Sequence, residues 1–361
     1  MTTADLEDVV ALSCLRPPVD TRSAWLLKEG GWLDRPGSDA LSWLATALAI
    51  PAADHGRRMA DARDRARAVL RAAEEKGLTV LTVPEPGYPS QLKAIPDPPI
   101  VLYCRGDGPV VAEAYVAIVG SRDATPAGVA VASRLARGLT EAGLSVVSGM
   151  ARGIDGAAHS GALEAGGRTT AVLGCGADIV YPPRHQELAR RIQGSGVILS
   201  EFAPGTPPLP HHFPLRNRII SGLSQAVVVV EASERSGSLI TARAALEQGR
   251  DVLAVPGGVA SGRYRGCHAL IKDGARLVET VEDILDEIRW PRPGGSAGGS
   301  VNNSLQLSEL EGRMAAGEPY SLDELVRDTG RPVPALLAEL SQLELSGKVA
   351  RVSGGRFVRL D

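Results

Sequence analysis

The chain has 361 residues and a mass of 37.7 kDa, too long for one typical domain of about 100 to 200 residues, so two or three units are expected and a small disulfide- or metal-stapled scaffold is excluded. With 39 Lys and Arg against 42 Asp and Glu, the net charge is −3 and the pI is near 6.1. That balance speaks against recognition of nucleic acid by bulk basicity and, taken alone, favours a small-molecule enzyme. The 41 Gly and 25 Pro, beside only 3 Phe, 4 Trp and 6 Tyr, describe many tight turns and few flat rings for stacking.

Residues 1–75 read as a small helical domain. DLEDVVALSCL, TRSAWLLKEGG, DALSWLATALA and HGRRMADARDRARAVLRAAEEKG repeat apolar positions at three to four, with Gly or Pro between them. The last segment carries six arginines between Arg57 and Arg71. Asp54, Asp61, Asp64, Glu74 and Glu75 are interleaved with them, so a solvated helix face is expected rather than a nucleic-acid surface.

From residue 76 to 290 short β-branched runs alternate with helical stretches. TVLTV, IVLYC, AYVAIVG, LSVVSG, RTTAVLG, VILSE, AVVVVEA and DVLAVPG are the expected strands, several of them apolar throughout, as a strand covered on both faces must be. One intervening helix is marked by Thr125 as N-cap, Pro126 at its first position and Gly143 as its stop. The expectation is an α/β fold with an open, Rossmann-like parallel sheet and helices on both faces. WPRPGGSAGGSVNNS then reads as a linker, assigned to 291–304. Residues 305–361 offer three helical patterns, LQLSELEGRMAAG, SLDELVRDTG and VPALLAELSQLELSG, and a hairpin, KVARVS and RFVRL, turning at Gly354-Gly355. That order suggests a winged helix.

Cys14, Cys104, Cys175 and Cys267 are scattered and form no C-x-x-C pair, so no metal site or disulfide framework is expected and a reducing cytoplasm fits best. MTTADLEDVV is acidic, and no run approaches about 18 apolar residues, so neither an export signal nor a membrane span is expected.

In an open parallel sheet ligands gather at the carboxyl ends of the strands, where helix N-termini and free N–H groups converge. Six strand-end loops here are rich in glycine and small polar residues: Gly120-Ser121-Arg122, Gly149-Met150-Ala151-Arg152-Gly153, Gly174-Cys175-Gly176, Phe202-Ala203-Pro204-Gly205, Ser233 to Ser238, and Gly257-Gly258. Together they suggest an anion-receiving edge. No G-x-G-x-x-G follows a strand, no G-x-x-x-x-G-K-[ST] occurs, and no G-x-S-x-G elbow is present, so dinucleotide binding, P-loop hydrolysis and serine catalysis lack their signatures. Asp155 and His159, four apart on a helix, have no third ligand in reach by sequence and are expected to order the loop after Gly149. An enzyme alternative, a phosphoribohydrolase of the lysine-decarboxylase-like fold group, uses P-G-G-x-G-T-x-x-E. Here Pro256-Gly257-Gly258 continues as Val259-Ala260-Ser261-Gly262, without the Thr and Glu.

The most specific segment is PHHFPLRNRIISGL. Phe213 stands beside His211 and His212 and shortly before Arg216 and Arg218. A ring for a base and guanidinium forks for phosphates are what single-strand binders combine. Equally, Phe213 could fill core at a helix start while the arginines pair with acids such as Glu201 or Glu231.

The ordered stretches YPSQL, DPPIVLYCRG, VAIVGSRDATPAG, VVSGMARGIDGAAHSGAL, TAVLGCGADIVYPP, SEFAPGTPP, FPLRNRIISGL, VVVVEASERSGSLITARAALEQGRDVLAVPG and GCHALIKDGA closely resemble the DNA-processing protein A (DprA/Smf) family over residues 85–280. The resemblance implies an extended Rossmann domain that binds single-stranded DNA and dimerises, between a helical, SAM-like N-terminal domain and a winged helix. It also implies delivery of incoming DNA to the RecA recombinase during natural transformation, without catalysis, cofactor or metal. On this resemblance Arg122 contacts phosphate, supported by the N–H groups of Gly120 and Ser121, and Phe213 belongs to the binding pocket. Arg216, Asn217 and Arg218 form the F-P-x-R-N-R motif, some touching DNA and some bracing the loop. Arg235, before Ser236-Gly237-Ser238, and the loop from Gly149 to Arg152 complete the expected nucleic-acid-binding set. One departure is Pro210, where relatives often carry lysine. The lost contact is expected to weaken binding or to be replaced by His211, His212 or Arg263. The outer domains are acidic, with ten basic against twelve acidic groups in residues 1–75 and seven against nine in 305–361. The presumed recognition helix has Glu339 and Glu344 and no Lys or Arg, so protein contacts are expected of it rather than duplex reading.

Overall fold

The computed structural model describes residues 3–15, 21–32, 37–106, 114–291, 310, 313–345, 348–352 and 356–360. Four helices lead: α1 (Thr3–Cys14), α2 (Thr21–Glu29), α3 (Gly37–Ala47) and α4 (Ala52–Glu75). Three of the six arginines of α4 are paired with local carboxylates. Arg57 pairs with Asp54 at 2.8 Å, Arg63 with Asp8 at 2.6 Å, and Arg67 with Glu7 and Asp64.

The sheet region follows as β1 (Thr79–Thr82), α5 (Ser90–Lys93), β2 (Val101–Arg105), β3 (Tyr115–Val119), α6 (Pro126–Glu141), β4 (Ser145–Ser148), α7 (Ile154–Glu164), β5 (Thr169–Val172), α8 (Gln186–Ser195) and β6 (Val197–Ser200). It continues as α9 (His212–Leu223), β7 (Ala226–Val229), α10 (Ser238–Glu247), β8 (Asp251–Ala254), α11 (Arg265–Lys272), β9 (Arg276–Leu277) and α12 (Val281–Glu287). The nine strands lie in the order β1-β2-β6-β5-β4-β3-β7-β8-β9. All neighbours from β6 to β9 are parallel, whereas β1 and β2 pair antiparallel with each other and β2 pairs antiparallel with β6. TVLTV and IVLYC thus depart from the parallel sheet expected: the helix between them, α5, is a single turn, and both strands join the edge antiparallel.

Alternate strand residues enter two cores, as the two-residue period demands. Val116 and Ile118 of β3 pack with Leu135 of α6, Ala158 of α7 and Ile284 of α12. Ala117 and Val119 face the other way, with Ile219 of α9 and Ala242 of α10. Val10 of α1 and Leu41 and Leu44 of α3 join that second core. The helical segment expected as its own domain thus shares apolar packing with the sheet, and Met1–Arg292 form one compact unit. Lys28 reinforces the join by donating from Nζ to the carbonyls of Ala94 and Ile95 at 2.7 and 2.6 Å. At the far end Trp290 donates from its indole to the Ala142 carbonyl at 2.9 Å. The expected linker lies, apart from Pro291, outside the described residues.

The second unit, Pro293–Asp361, contains β10 (Pro319–Tyr320), α13 (Leu322–Thr329), α14 (Val333–Leu345), β11 (Val349–Val352) and β12 (Arg356–Arg359), with a sheet in the order β10-β12-β11. Ser321 and Glu324 form a capping box on α13, and Gly330 stops it with φ of 67°. The hairpin pairs Val349 with Arg359 and Val352 with Arg356. Most of the first expected helix of this unit lies outside the described residues, but Leu310 and Met314 are buried with Leu325, Leu340 and Phe357.

One buried group carries a pH signature. The Thr169 hydroxyl donates to the Val146 carbonyl at 2.8 Å, so the His159 ring nitrogen Nδ1, 2.7 Å from the same oxygen, must be the donor there. Nε2 is then unprotonated and has no hydrogen-bond partner. Burial, helped by the nearby charges of His185 and Arg216, pulls the imidazole pKa from 6.5 down to about 3. Between those values the unfolded chain binds a proton that the folded chain refuses, so stability falls as pH drops through this window. Urea titrations across it are expected to show wild type losing up to about 1.4 kcal/mol per pH unit more than His159→Gln; parallel pH profiles would contradict this account of the buried ring.

Candidate nucleic-acid interface

The connectivity creates a crevice at β3. From this strand the chain moves outward through β4, β5 and β6, then returns to place β7 on the opposite side. No crossover covers the gap between the ends of β3 and β7, which makes it the topological switch point where open α/β sheets receive ligands. The two loops are joined at their base: Ser121 N–H donates to the Glu231 carbonyl at 2.7 Å, and Ile154 N–H to the Ser121 carbonyl at 3.2 Å. Gly120 is required there, because a Cβ would lie 2.6 Å from the Ile154 side chain and 3.0 Å from the Glu231 carbonyl. Above lies a cavity of about 580 Å³.

Its walls combine cationic, aromatic and dipolar groups. Arg122 is exposed, with its guanidinium carbon 5.1 Å from the centre of the Phe213 ring. Tyr181 stands on the same ring, 5.5 Å between centroids and tilted by 42°. Phe213 is half-buried, lying so close to backbone that a Cβ on Gly174 would approach its ring to 3.1 Å. Across the cavity Ser236, Gly237 and Ser238 open α10, whose first turn carries no acid. Such a helix start favours anions. The arrangement suits a flat aromatic group flanked by negative charge.

The floor holds two buried ionisable side chains, Asp155 and Arg216. Asp155 accepts from the Ala151 N–H at 3.3 Å. Arg216, 3% exposed, donates to the Val172 carbonyl, while its Nε has no partner. Burial raises the Asp155 pKa against the pull of Arg216, and lowers that of Arg216 to about 10 against the pull of Asp155. Arg216 remains charged near neutrality. The guanidinium occupies the space that a Gly149 side chain would need. The loop above is strained at Met150, a buried non-glycine residue with φ of 55°, and His185 Nδ1 lies 3.0 Å from the Met150 carbonyl.

Among the residues expected from sequence, Gly120, Ser121, Arg122, Phe213, Arg216, Asn217, Ser236, Gly237 and Ser238 line this cavity. Gly149 supports it from beneath. Arg152 and Arg235 are exposed but do not line it. Arg218 must be reassigned: it donates twice to Glu201, at 2.8 and 2.6 Å, and once to Asp97, at 2.8 Å. With 8% of its side chain exposed, it braces the scaffold beside a different cavity near Trp25 and Gln248. Asp155 does order the loop, but His159 turns away to Thr169. Among the described residues no group of three His, Cys, Asp or Glu side chains is placed to hold a metal ion.

Pro210 lines the cavity wall with Pro208 and Pro214, so the position given to lysine in relatives does face the site. Of the three suggested substitutes, His212 is buried, stacked on Phe202 at 4.1 Å, with Nδ1 3.2 Å from the Gly174 carbonyl. Burial, then His211, lowers its pKa. Arg263 bonds Asp123 at 2.6 Å. Only His211 is exposed and without such a tie. Tyr181 was not singled out from sequence; the available signal was a Tyr-Pro-Pro directly following a strand-end loop in a chain with few rings.

The two arginine roles separate experimentally. Arg218→Ala strands the buried Glu201 carboxylate and is expected to cost about 3 to 5 kcal/mol of stability, whereas Arg122→Ala leaves the melting temperature nearly unchanged. Equal thermal shifts in the two variants would contradict this division.

Comparison with known proteins agrees with the geometry. The family described as DNA recombination-mediator protein A matches residues 79–289, and the DprA winged helix domain matches residues 307–355. Protein Smf of Escherichia coli (strain K12) is 41% identical over 297 residues, 76% of this chain and 75% of that protein. The X-ray structure of DNA processing protein A from Streptococcus pneumoniae is similar with a TM-score of 0.66 at 34% identity, covering 78% of this chain and 97% of that one. DNA processing protein A from Helicobacter pylori, whose structure is described in terms of a unique single-stranded DNA binding mode, gives a TM-score of 0.53 at 29% identity over 59% of this chain and 97% of that one. With more than half of its length matched by the family and its sheet built on the same plan, this chain belongs to the DNA-processing protein A (DprA/Smf) family.

Proposed function

We propose that this chain binds single-stranded DNA in the switch-point crevice and acts as a recombination mediator, protecting incoming DNA and passing it to RecA during natural transformation. The observation that carries the reading is the stack of Arg122, Phe213 and Tyr181 beside the α10 N-terminus. An unpaired base meets the aromatic pair, while the flanking phosphates meet Arg122 and the Ser236–Ser238 turn. A paired base offers no free face to stack, so duplex is disfavoured, and backbone contacts leave the sequence unread. The single-strand binding described for the Helicobacter pylori relative supports the same ligand.

Binding without chemistry is the favoured role. The hydroxyls of Ser236 and Ser238 lie 2.7 Å apart and bond to each other. The Pro256-Gly257-Gly258 loop, where the phosphoribohydrolase signature would begin, is capped by the Tyr264 ring over Gly257, and Val259 is 81% exposed. Homodimerisation would lengthen a short footprint per subunit. The winged helix is assigned to protein contacts, since Glu339 pairs with Arg331 at 2.6 Å and α14 offers no basic side chain. A cytoplasmic location fits four free cysteines, and among the described residues no helix is long and apolar enough to cross a membrane.

Anisotropy titrations with oligo-dT and with duplex at two salt concentrations test the reading. Phe213→Ala is expected to weaken single-strand binding by about 1 to 3 kcal/mol, and Arg122→Ala to reduce the log–log salt slope by roughly 0.7. Wild-type affinity for duplex equal to that for oligo-dT would overturn it. RecA delivery is read separately, as a shortened lag in RecA ATPase activity on single strands; an unchanged lag would remove that part of the proposal.

A further inference from the structure

Arg122 sits on a loop with little packing of its own: it and Asp123 are exposed, and Ser121, Ala124 and Thr125 are only partly covered. Glu231 and Arg263 hold the loop from elsewhere, and Tyr264 interacts with Thr125 and Glu231 as well. Glu231, at the end of β7 and 1% exposed, takes the Thr125 N–H at 3.0 Å and the Thr125 hydroxyl at 2.7 Å on one carboxylate oxygen. Its backbone carbonyl takes Ser121 N–H. Arg263, from the loop after β8, donates from Nη1 to the Asp123 carbonyl at 2.6 Å and sits 3.5 Å from the second Glu231 oxygen. That oxygen is buried without a hydrogen bond, so the Arg263 charge is what compensates it. A third approach, Nη2 to the Asp123 carboxylate at 3.6 Å, is exposed and adds little.

We infer that Arg263 and Glu231 form a clamp that positions Arg122, making Arg263 a positioning residue for single-strand binding rather than a phosphate contact. The inference rests on the binding site proposed above and adds the rule by which that site is kept in shape. The rival role is concrete: Arg263 is 44% exposed on its side chain and could reach a phosphate directly.

The two roles predict opposite signs for one substitution. If Arg263 binds phosphate, Glu231→Gln removes a competing carboxylate and tightens single-strand binding. In a clamp the new amide turns a donor toward the guanidinium, the loop loosens, and affinity falls although a negative charge has been removed. The expected fall is roughly three- to tenfold, the size of coupling between directly contacting residues. Arg263→Gln and Arg263→Lys change a partly exposed side chain, and their melting temperatures show what loss of the charge facing Glu231 costs the fold. Both clamp contacts come from the one nitrogen Nη1, so Arg263→Lys can keep part of them, whereas Arg263→Gln loses the charge facing Glu231 and weakens binding. In the Arg122→Ala background Arg263→Gln is expected to cause no further loss of affinity or salt slope; a further slope loss of about 0.7 would mark an independent phosphate contact.

The experiment is an oligo-dT anisotropy titration of full-length wild type, these three single variants, Arg122→Ala and the double variant, with melting temperatures measured in parallel. Weakening by Glu231→Gln with intact folding, together with non-additivity of Arg122 and Arg263, supports the clamp. Tightening by Glu231→Gln or additivity in the double variant overturns it while the binding site stands. If Glu231→Gln fails to fold, the Arg263 variants decide by the same criteria. Wild type that does not bind oligo-dT overturns the functional reading itself, and the clamp with it.

Discussion

Everything at the candidate site depends on where the chain reverses its progress across the sheet. β3 is the only strand from which the parallel sheet grows in both directions in sequence order, through β4 on one side and β7 on the other. Within the parallel part of the sheet every other neighbouring pair is joined through its own helix, so a crevice forms at β3/β7 as a consequence of topology. The outer parts of the loops bordering it, Arg122-Asp123 and Ser233 to Arg235, are exposed and can carry polar residues without destabilising the sheet. Gly120 and Gly149 serve the same constraint, one by letting Ile154 come close and the other by making room for the Arg216 guanidinium.

The charge economy follows from that geometry. Residues 76–290 contain 21 basic and 21 acidic groups, so a site for a polyanion has to be made locally. Arginines divide by burial. Arg218 and Arg216 lie inside, paired with Glu201 and Asp97 or set beside Asp155, and act on the shape of the scaffold. Arg122 is left at the surface over an aromatic ring. Low bulk basicity is therefore no obstacle to a nucleic-acid role, because the energy of such a contact comes from a few oriented groups and stacking rather than from net charge.

Much of this was legible in the sequence. Thr125 and Pro126 marked the start of α6, and the Thr125 hydroxyl does accept from Gly128 N–H at 3.0 Å. The strand-end glycines marked the edge of the sheet at which the cavity opens. Arg218 was misplaced because in a motif the two arginines look alike, yet residues two apart on a helix point about 200° apart. With Phe213 and Arg216 on the crevice side of α9, Arg218 had to face away, toward Glu201. Tyr181 was missed for a different reason. Its partnership with Phe213 joins the loop after β5 to the first turn of α9, across α8 and β6, and no local periodicity reports such a contact. The antiparallel edge strands and the shared core of α1, α3 and the sheet were likewise products of tertiary packing, invisible to spacing rules.

Hydrogen–deuterium exchange with and without saturating oligo-dT tests the central claim most directly, because it locates the strand without altering the protein. Slower exchange is predicted at residues 120–125, around 181, at 208–217 and at 233–240, with no change near Trp25, Asp97 and Gln248 beside Arg218. Protection confined to the Arg218 side or to the winged helix, with the β3 and β7 loops unaffected, would contradict a switch-point binding site.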